Sequence, residues 1–385
     1  MKQHLGKCCF SVTAAVLLSS LSLQGCAVPG LGVSESSSFT GRFESSDSSN
    51  ETEMKLSLFP AKKKAKTFAE INEIIQDAMN QGQASVEFYT EDYSLINLNR
   101  WITDFPGIQK LDCQYRPTMS GYNVVVSMDY WDAFPVTYAY QTGNTSSLSA
   151  RQLELYNKVK SIADELRTGT GSGASGSTDQ AYRLELAAHD YLVKNIAYNE
   201  SSETDDGAYG ALTSGQAVCN GYAESFMLLC NFLGIENTAI SGYAGGEPHI
   251  WNEVKLGNDW YQVDVTWDDP VRSNFKSTDH TYFNISSADM DLDHSFETTQ
   301  APYREATGSA YTYLNQTFVE SIASNSALTA RLRALISSKA SSFEFTTPAE
   351  LDINSAANAV GMSYAFSYKM HTYTDSTYYQ VNFTY

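Results

Sequence analysis

Two extended runs joined by a glycine–asparagine pair constrain this chain more than any other feature. His249-Ile-Trp-Asn-Glu-Val-Lys-Leu256 and Asp259-Trp-Tyr-Gln-Val-Asp-Val-Thr-Trp267 flank Gly257-Asn258, which predicts a two-residue hairpin with a type I′ or II′ turn. If Leu256 faces Asp259, then His249 faces Thr266 and Trp251 faces Asp264. Residues that face each other, or lie two apart, share one side of a sheet. His249 and Asp264 are then diagonal neighbours, about 7–8 Å apart at the backbone and within reach of a side-chain hydrogen bond. The other side carries Ile250, Val254, Leu256, Tyr261, Val263 and Val265, a core-facing set. A slip of one residue would part the histidine from the aspartate and bury the wrong side.

Upstream, Cys219 opens a segment, CNGYAESFMLLCNFLG, in which Ala223, Phe226, Met227, Cys230 and Leu233 recur at helical spacing before Gly234, a natural residue to end a helix. Cys219 is therefore expected at a helix N-terminus, where unpaired N–H groups and the helix dipole favour the anionic thiolate. Cys230 falls on the apolar face as an inert core residue. Cysteine, histidine and aspartate in this order supply a nucleophile, its general base and the group that orients the base.

With Ala217-Val-Cys219-Asn-Gly-Tyr-Ala223, His249-Ile-Trp-Asn-Glu-Val254 and Trp260-Tyr-Gln-Val-Asp264-Val-Thr-Trp-Asp-Asp-Pro270 in view, the segment resembles the transglutaminase-like group of the papain-like cysteine enzymes. The likeness spans roughly residues 180 to 305, and Tyr282-Phe283 also fits bacterial members. It implies an α+β core, a cysteine-bearing helix packed on an antiparallel sheet, with Cys219, His249 and Asp264 as catalytic triad. Ile250 departs from the small residue more usual there and is expected to narrow access beside the histidine. For the oxyanion, the backbone N–H of Cys219 needs a second donor. Gln216 is a candidate by position, with a solvated loop glutamine as the plainer reading. Trp251 is a candidate cleft wall or plain packing.

The N-terminus reads as an export signal. Lys2 and Lys7 precede an apolar run that closes on Leu23-Gln24-Gly25-Cys26, which resembles the bacterial lipobox, with Cys26 the lipidated first residue of the mature chain. The expectation is a protein anchored by lipid at the bacterial cell surface, acting on a protein or peptide substrate that could be associated with the cell wall. A net charge of −19 has the wrong sign for neutralising phosphates, so nucleic acid is not an expected partner. Outside the signal and the lipidated Cys26, Cys113, Cys219 and Cys230 leave an odd thiol whatever pairs, and no C-x-x-C spacing suggests zinc. Asp289, Asp291 and Asp293 open like a calcium loop, but His294 stands where glycine is needed and Gln300 where glutamate is. Neither metal nor cofactor is expected.

Composition and periodicity divide the rest. Residues 1–25 form the signal and 26–53 a serine-rich tether that cannot bury a core. Residues 54–147 are expected as a small α/β module, 148–307 as the catalytic domain and 308–385 as a second α/β module. Thr67 and Glu70 fit a capping box ahead of the stripe Ile71, Ile75, Ala78 and Met79. SVEFYT (Ser85–Thr90) and YNVVVSMDY (Tyr122–Tyr130) read as strands around a helix from Leu95 to Phe105. At an offset of 257, SFEFTT (Ser342–Thr347) matches Ser85–Thr90, Leu328, Leu332, Leu335 and Ile336 match the stripe, and Tyr379-Gln380-Val381 matches Tyr122-Asn123-Val124. Either one module occurs twice or amphipathic elements coincide by chance. Helices are expected over 148–167 and 181–198, the second with His189 as a partly buried helix residue and not a ligand.

Two functions fit: a cysteine enzyme acting through a Cys219 thioester, by hydrolysis or by transfer to an amine, or a surface binding or adhesion module around a vestigial triad, in which the flanking modules and their tyrosines do the binding.

Overall fold

The computed structural model describes residues 63–384 except 99, 102–104, 106, 172–175, 201–206, 270–277, 297–303, 318 and 362–364. The signal, Cys26 and the serine-rich tether lie outside the described residues. No helix among the described residues is long and apolar enough to cross a membrane.

The N-terminal sheet runs β1 (Lys63–Lys64), β2 (Ser85–Thr90), β4 (Tyr122–Tyr130) and β3 (Ile108–Pro117) side by side, with α1 (Phe68–Asn80) packed against it. Thr67 caps α1 by accepting the Glu70 N–H, and Glu70 Oε2 accepts the N–H of Lys66, one residue earlier than a capping box would have it. Ile71, Ile75, Ala78 and Met79 are all buried, with Ile74 beside them. Of the helix expected from Leu95, the described part holds a 3-10 turn at Tyr93–Leu95 and one helical bond, Trp101 N–H to Asn97 O.

Four helices lead into the central sheet: α2 (Ala133–Thr142), α3 (Ala150–Gly169), α4 (Thr178–Asn195) and, after β5 (Ala197–Tyr198), α5 (Ala208–Ser214). Ser149 and Gln152 form a capping box on α3. After β6 (Gln216–Ala217) comes α6 (Cys219–Leu233), whose Tyr222, Phe226, Leu229 and Phe232 centre the largest apolar cluster. Neither Asp132 nor Gly207 caps its own helix with a side chain. Instead Glu224, buried in α6, accepts the Ala133 N–H at 2.9 Å and the Ala208 N–H at 2.7 Å, so one carboxylate caps both α2 and α5.

The central sheet comprises β7 (Asn237–Ala244), β8 (Glu247–Leu256), β9 (Asp259–Val263), β10 (Phe283–Ile285) and, after α7 (Ser287–Met290), β11 (His294–Phe296), in the order β10-β9-β8-β7-β11. Leu256 faces Asp259 and the pairing runs regularly to Asn252 with Val263, in the expected register. Gly257 takes φ +64° while Asn258 does not have positive φ, as a type II′ turn requires. The second strand ends at Val263, short of the expected Trp267, because residues 264–268 fold into a turn. The core-facing set packs with α6, and Ile250 belongs to it, on the opposite side of the strand from His249.

After α8 (Tyr313–Gln316), the C-terminal sheet runs β12 (Glu320–Ser321), β13 (Ser342–Thr347), β15 (Thr377–Thr384) and β14 (Ala365–Thr372), with helices α9 (Asn325–Ser337) and α10 (Ile353–Ala359). Its strand order is that of the first sheet. Ser324 caps α9 as Thr67 caps α1, and Lys339 takes positive φ where Gly82 does. Thr90 and Thr347 each bond the backbone two residues on. The offset is not constant, however. Thr90 and Thr347 are 257 apart, but their partners Tyr122 and Thr377 are only 255 apart. The C-terminal sheet is two residues shorter between these strands, so by register Tyr122 matches Thr377 and not Tyr379.

Candidate active site

Cys219 is the first residue of α6, behind Val218, an extended N-cap whose side chain makes no capping bond. It is half-buried, and among the described residues Cys113, Cys219 and Cys230 form no disulfide. Cys230 is buried on the apolar side, where loss of hydration pushes its thiol pKa up. Asn252, on β8, donates from Nδ2 to the Ala223 carbonyl at 3.1 Å. This bond ties the helix that carries the cysteine to the strand that carries His249.

His249 Nε2 lies 2.7 Å from Asp264 Oδ2, and the Cys219 side chain is close enough to the imidazole to favour its charged form. The three residues singled out in sequence thus meet. Asp264 gets there through its side chain and not through the predicted ladder. Its N–H donates to the Tyr282 carbonyl, and its Oδ1 accepts the N–H groups of Thr266 and Trp267 at 3.0 and 3.2 Å. Burial disfavours the His249 cation, but the Asp264 charge, the Asp264 hydrogen bond and the Cys219 side chain outweigh it and raise the pKa to about 10. Burial would likewise raise Asp264, but the charge of His249 and hydrogen bonds from His249 and His294 hold its carboxyl well below the usual range.

Two expectations, on Ile250 and His189, need correction, and of the two readings of Trp251 the structure favours plain packing. Trp251 is 1% exposed, stacks on the His249 ring at 6.1 Å and donates from Nε1 to Gln262 Oε1 at 2.6 Å, so it packs the imidazole in place and lines no open cleft. Ile250 faces the core and does not flank the histidine's open side. His189 is fully buried, bonded to Asp190 and Asp268. Gln216 is exposed and its Oε1 accepts the Asn199 amide at 2.9 Å, which leaves the Gln216 amide nitrogen to donate elsewhere.

Sequence reasoning missed His294. Its Nε2 lies 3.0 Å from Asp264 Oδ2, and its Nδ1 lies 2.7 Å from Asp293 Oδ1. Asp293 also accepts the Tyr282 hydroxyl at 2.6 Å. The pair Asp293-His294 was visible only as part of a failed calcium loop, and the acids of that loop serve protein donors: Asp289 accepts Thr374 and Ser286. Among the described residues, two groups bring metal-type donor atoms within 4.8 Å of one another, His189 with Asp190 and His280, and His249 with Asp264 and His294. In both, imidazole nitrogens already face carboxylate oxygens.

A cysteine at a helix start with a histidine–aspartate pair on the adjoining sheet lies within one segment that a family model matches. Residues 160–265 match the transglutaminase-like superfamily model. The chain contains a transglutaminase-like domain. Among solved structures, it is similar to a proposed cysteine protease from Cytophaga hutchinsonii (17% identity over 44% of this chain and 71% of that one, TM-score 0.26). It is also similar to the periplasmic domain of TgpA from Pseudomonas aeruginosa bound to ethylmercury (20% identity, 41% and 66%, TM-score 0.24) and to a TGase (9% identity, 68% and 67%, TM-score 0.27). No curated protein sequence matches the chain.

Proposed function

We propose that this protein is a cysteine-dependent acyl-transfer enzyme that opens peptide or glutamine-type amides through a Cys219 thioester, with water as the usual acceptor. The observation that carries the reading is the His249–Asp264 contact of 2.7 Å, on a ring whose charged form the nearby Cys219 side chain at the start of α6 also favours. With Nε2 committed to Asp264, Nδ1 is the nitrogen left for sulfur, the tautomer a general base needs.

His249 takes the Cys219 proton and the sulfur attacks the carbonyl carbon. The oxyanion is held by the Cys219 N–H, with the Gln216 amide as second donor. His249 then returns the proton to the leaving amine as the C–N bond breaks, leaving the thioester. Water, activated by the same imidazole, releases the acid and restores the thiol. A primary amine in place of water would make the reaction transglutamination. On the same footing, we place the enzyme outside the cytoplasmic membrane, held by lipid on Cys26 through the serine-rich tether, with protein or peptide as its substrate.

The test is mass spectrometry of peptide mixtures incubated with the protein and a primary amine. Cleaved peptides, lost in Cys219→Ala, support hydrolysis, and amine adducts support transfer. Absence of both, together with an iodoacetamide rate at Cys219 no faster than that of a free thiol, refutes the enzyme and favours the binding module.

A further inference from the structure

Two buried histidines outside the proposed triad have carboxylates at both ring nitrogens. His294 bonds Asp264 through Nε2 and Asp293 through Nδ1, at 3.0 and 2.7 Å. His189 bonds Asp268 through Nε2 at 3.1 Å and reaches Asp190 through Nδ1 at 3.4 Å. Both side chains are fully buried. An ionised carboxylate only accepts, and a neutral imidazole carries a single N–H, so a neutral ring would set one lone pair against another. With both carboxylates ionised, only the doubly protonated ring satisfies both contacts. The aspartates at the two Nε2 ends, Asp264 and Asp268, are the two ends of one turn, closed by Asp268 N–H to Asp264 O at 3.2 Å.

We propose that His294 is a buried imidazolium, a positioning residue that fixes Asp264 against His249 and shares its negative charge, while His189 secures the far end of the same turn. This rests on the triad proposed above. Asp264 Oδ2 receives both Nε2 atoms, at 2.7 Å from His249 and 3.0 Å from His294, while Oδ1 is taken by two backbone N–H groups, so the carboxylate has no freedom to rotate away. The His249 and His294 rings are 5.7 Å apart. A second cation at that distance holds the proton affinity of His249 below what an unshared Asp264 would give it. The titratable and charged groups facing His294 are Asp264 beyond β9, Asp293 and Asp291 from the turn before β11, His249 on β8, and Tyr282 before β10. Trp251 and Trp267 cover its ring.

Two measurements test this. In the full chain with ¹⁵N-labelled histidine, both His294 ring nitrogens should show N–H-type shifts that do not change between about pH 5 and 8. A lone-pair-bearing nitrogen there overturns the proposal, whatever any variant does. Second, the iodoacetamide rate at Cys219 is followed against pH in the wild type, His294→Gln and His189→Gln. Glutamine keeps an amide donor but no charge. The inflection assigned to His249 should move up by roughly one unit in His294→Gln, and the rate near neutrality should change roughly tenfold or more. His189→Gln should lower stability and leave that inflection in place. If the wild-type thiol is no faster than free cysteine, the triad itself fails. If it is fast and His294→Gln leaves the profile unmoved, the triad stands and this inference falls.

Discussion

The N-terminal and C-terminal sheets run their strands in the same order, and the hairpin tip of each closes with the same bond, Thr118 N–H to Gly121 O in one and Tyr373 N–H to Ser376 O in the other. At the first tip Met119 is fully exposed. At the second, Tyr373 is buried, its hydroxyl donating to the Thr281 carbonyl at 2.8 Å, and Thr374 gives its N–H and hydroxyl to Asp289, both at 2.8 Å. Lys369 adds an ion pair with Asp279. The N-terminal sheet is joined instead through α2, whose first N–H rests on Glu224 and whose preceding Trp131 belongs to the central core. Strand order follows from local patterning, which the two sheets share. Attachment follows from a few tip residues, which they do not. The C-terminal sheet therefore braces residues 279–289, next to the carbonyl of Tyr282 that holds Asp264, and the N-terminal sheet braces the helix of Cys219.

The largest effect that should be the same in both copies is truncation of the matching core rings. Phe88 and Phe345 are fully buried at corresponding positions, and each alanine variant should lose about 3–5 kcal/mol in denaturant titration. A loss confined to one copy would show that the two cores carry unequal weight.

Alkali should separate the centre from both outer sheets. The two carboxylates beside His189 outweigh burial and raise its pKa from 6.5 to about 9. Its stabilisation is complete below pH 6.5 and is lost as pH rises through about 9, on the order of 3 kcal/mol. Burial raises Glu185 from 4.5 to about 8, so its contribution too falls as pH rises from 4.5 through about 8. Hydrogen exchange at pH 6 and 9.5 should show α4 losing protection relative to β2 and β13.

Tyr373→Phe removes one buried hydrogen bond and leaves the Thr281 carbonyl without that donor, a loss of about 1–2 kcal/mol. Exchange should quicken around 279–289 and not at the N-terminal tip. The smallest effect concerns the left-handed residue after the first helix of each copy. Lys339 holds φ +53° where Gly82 holds φ +67°, so Lys339→Gly should be neutral or stabilise by up to about 1 kcal/mol, while Gly82→Ala should destabilise by a similar amount. Melting temperatures decide both.

Much of the centre was legible because short-range rules govern it. Gly257-Asn258 fixed the register, and Gly234 ended the helix that begins at Cys219. The strand SVEFYT was readable from alternation alone. What stayed hidden depends on chain reversal or on distant partners. The turn at 264–268 forms because Asp264 accepts two N–H groups ahead of it, which alternation does not encode. His294 is 30 residues from Asp264, and Trp251 is covered by elements that come together only in the folded chain. The offset of 257 was true for the first helix and strand but failed beyond Thr90, since a two-residue loss leaves the amphipathic pattern of the following strand intact.

Glu224 sets a limit on variation. Five residues after Cys219, it gives one oxygen to the start of α2 and the other to the start of α5. Glutamine would turn an N–H toward one of those donors, and aspartate is a methylene too short to keep both. The segments that enter the two helices can change in length and sequence only so far as each still arrives at this carboxylate. Position 224 is thus a shared terminus, where a single substitution disturbs the mount of the nucleophile, the link to the N-terminal sheet and the approach to β6 together.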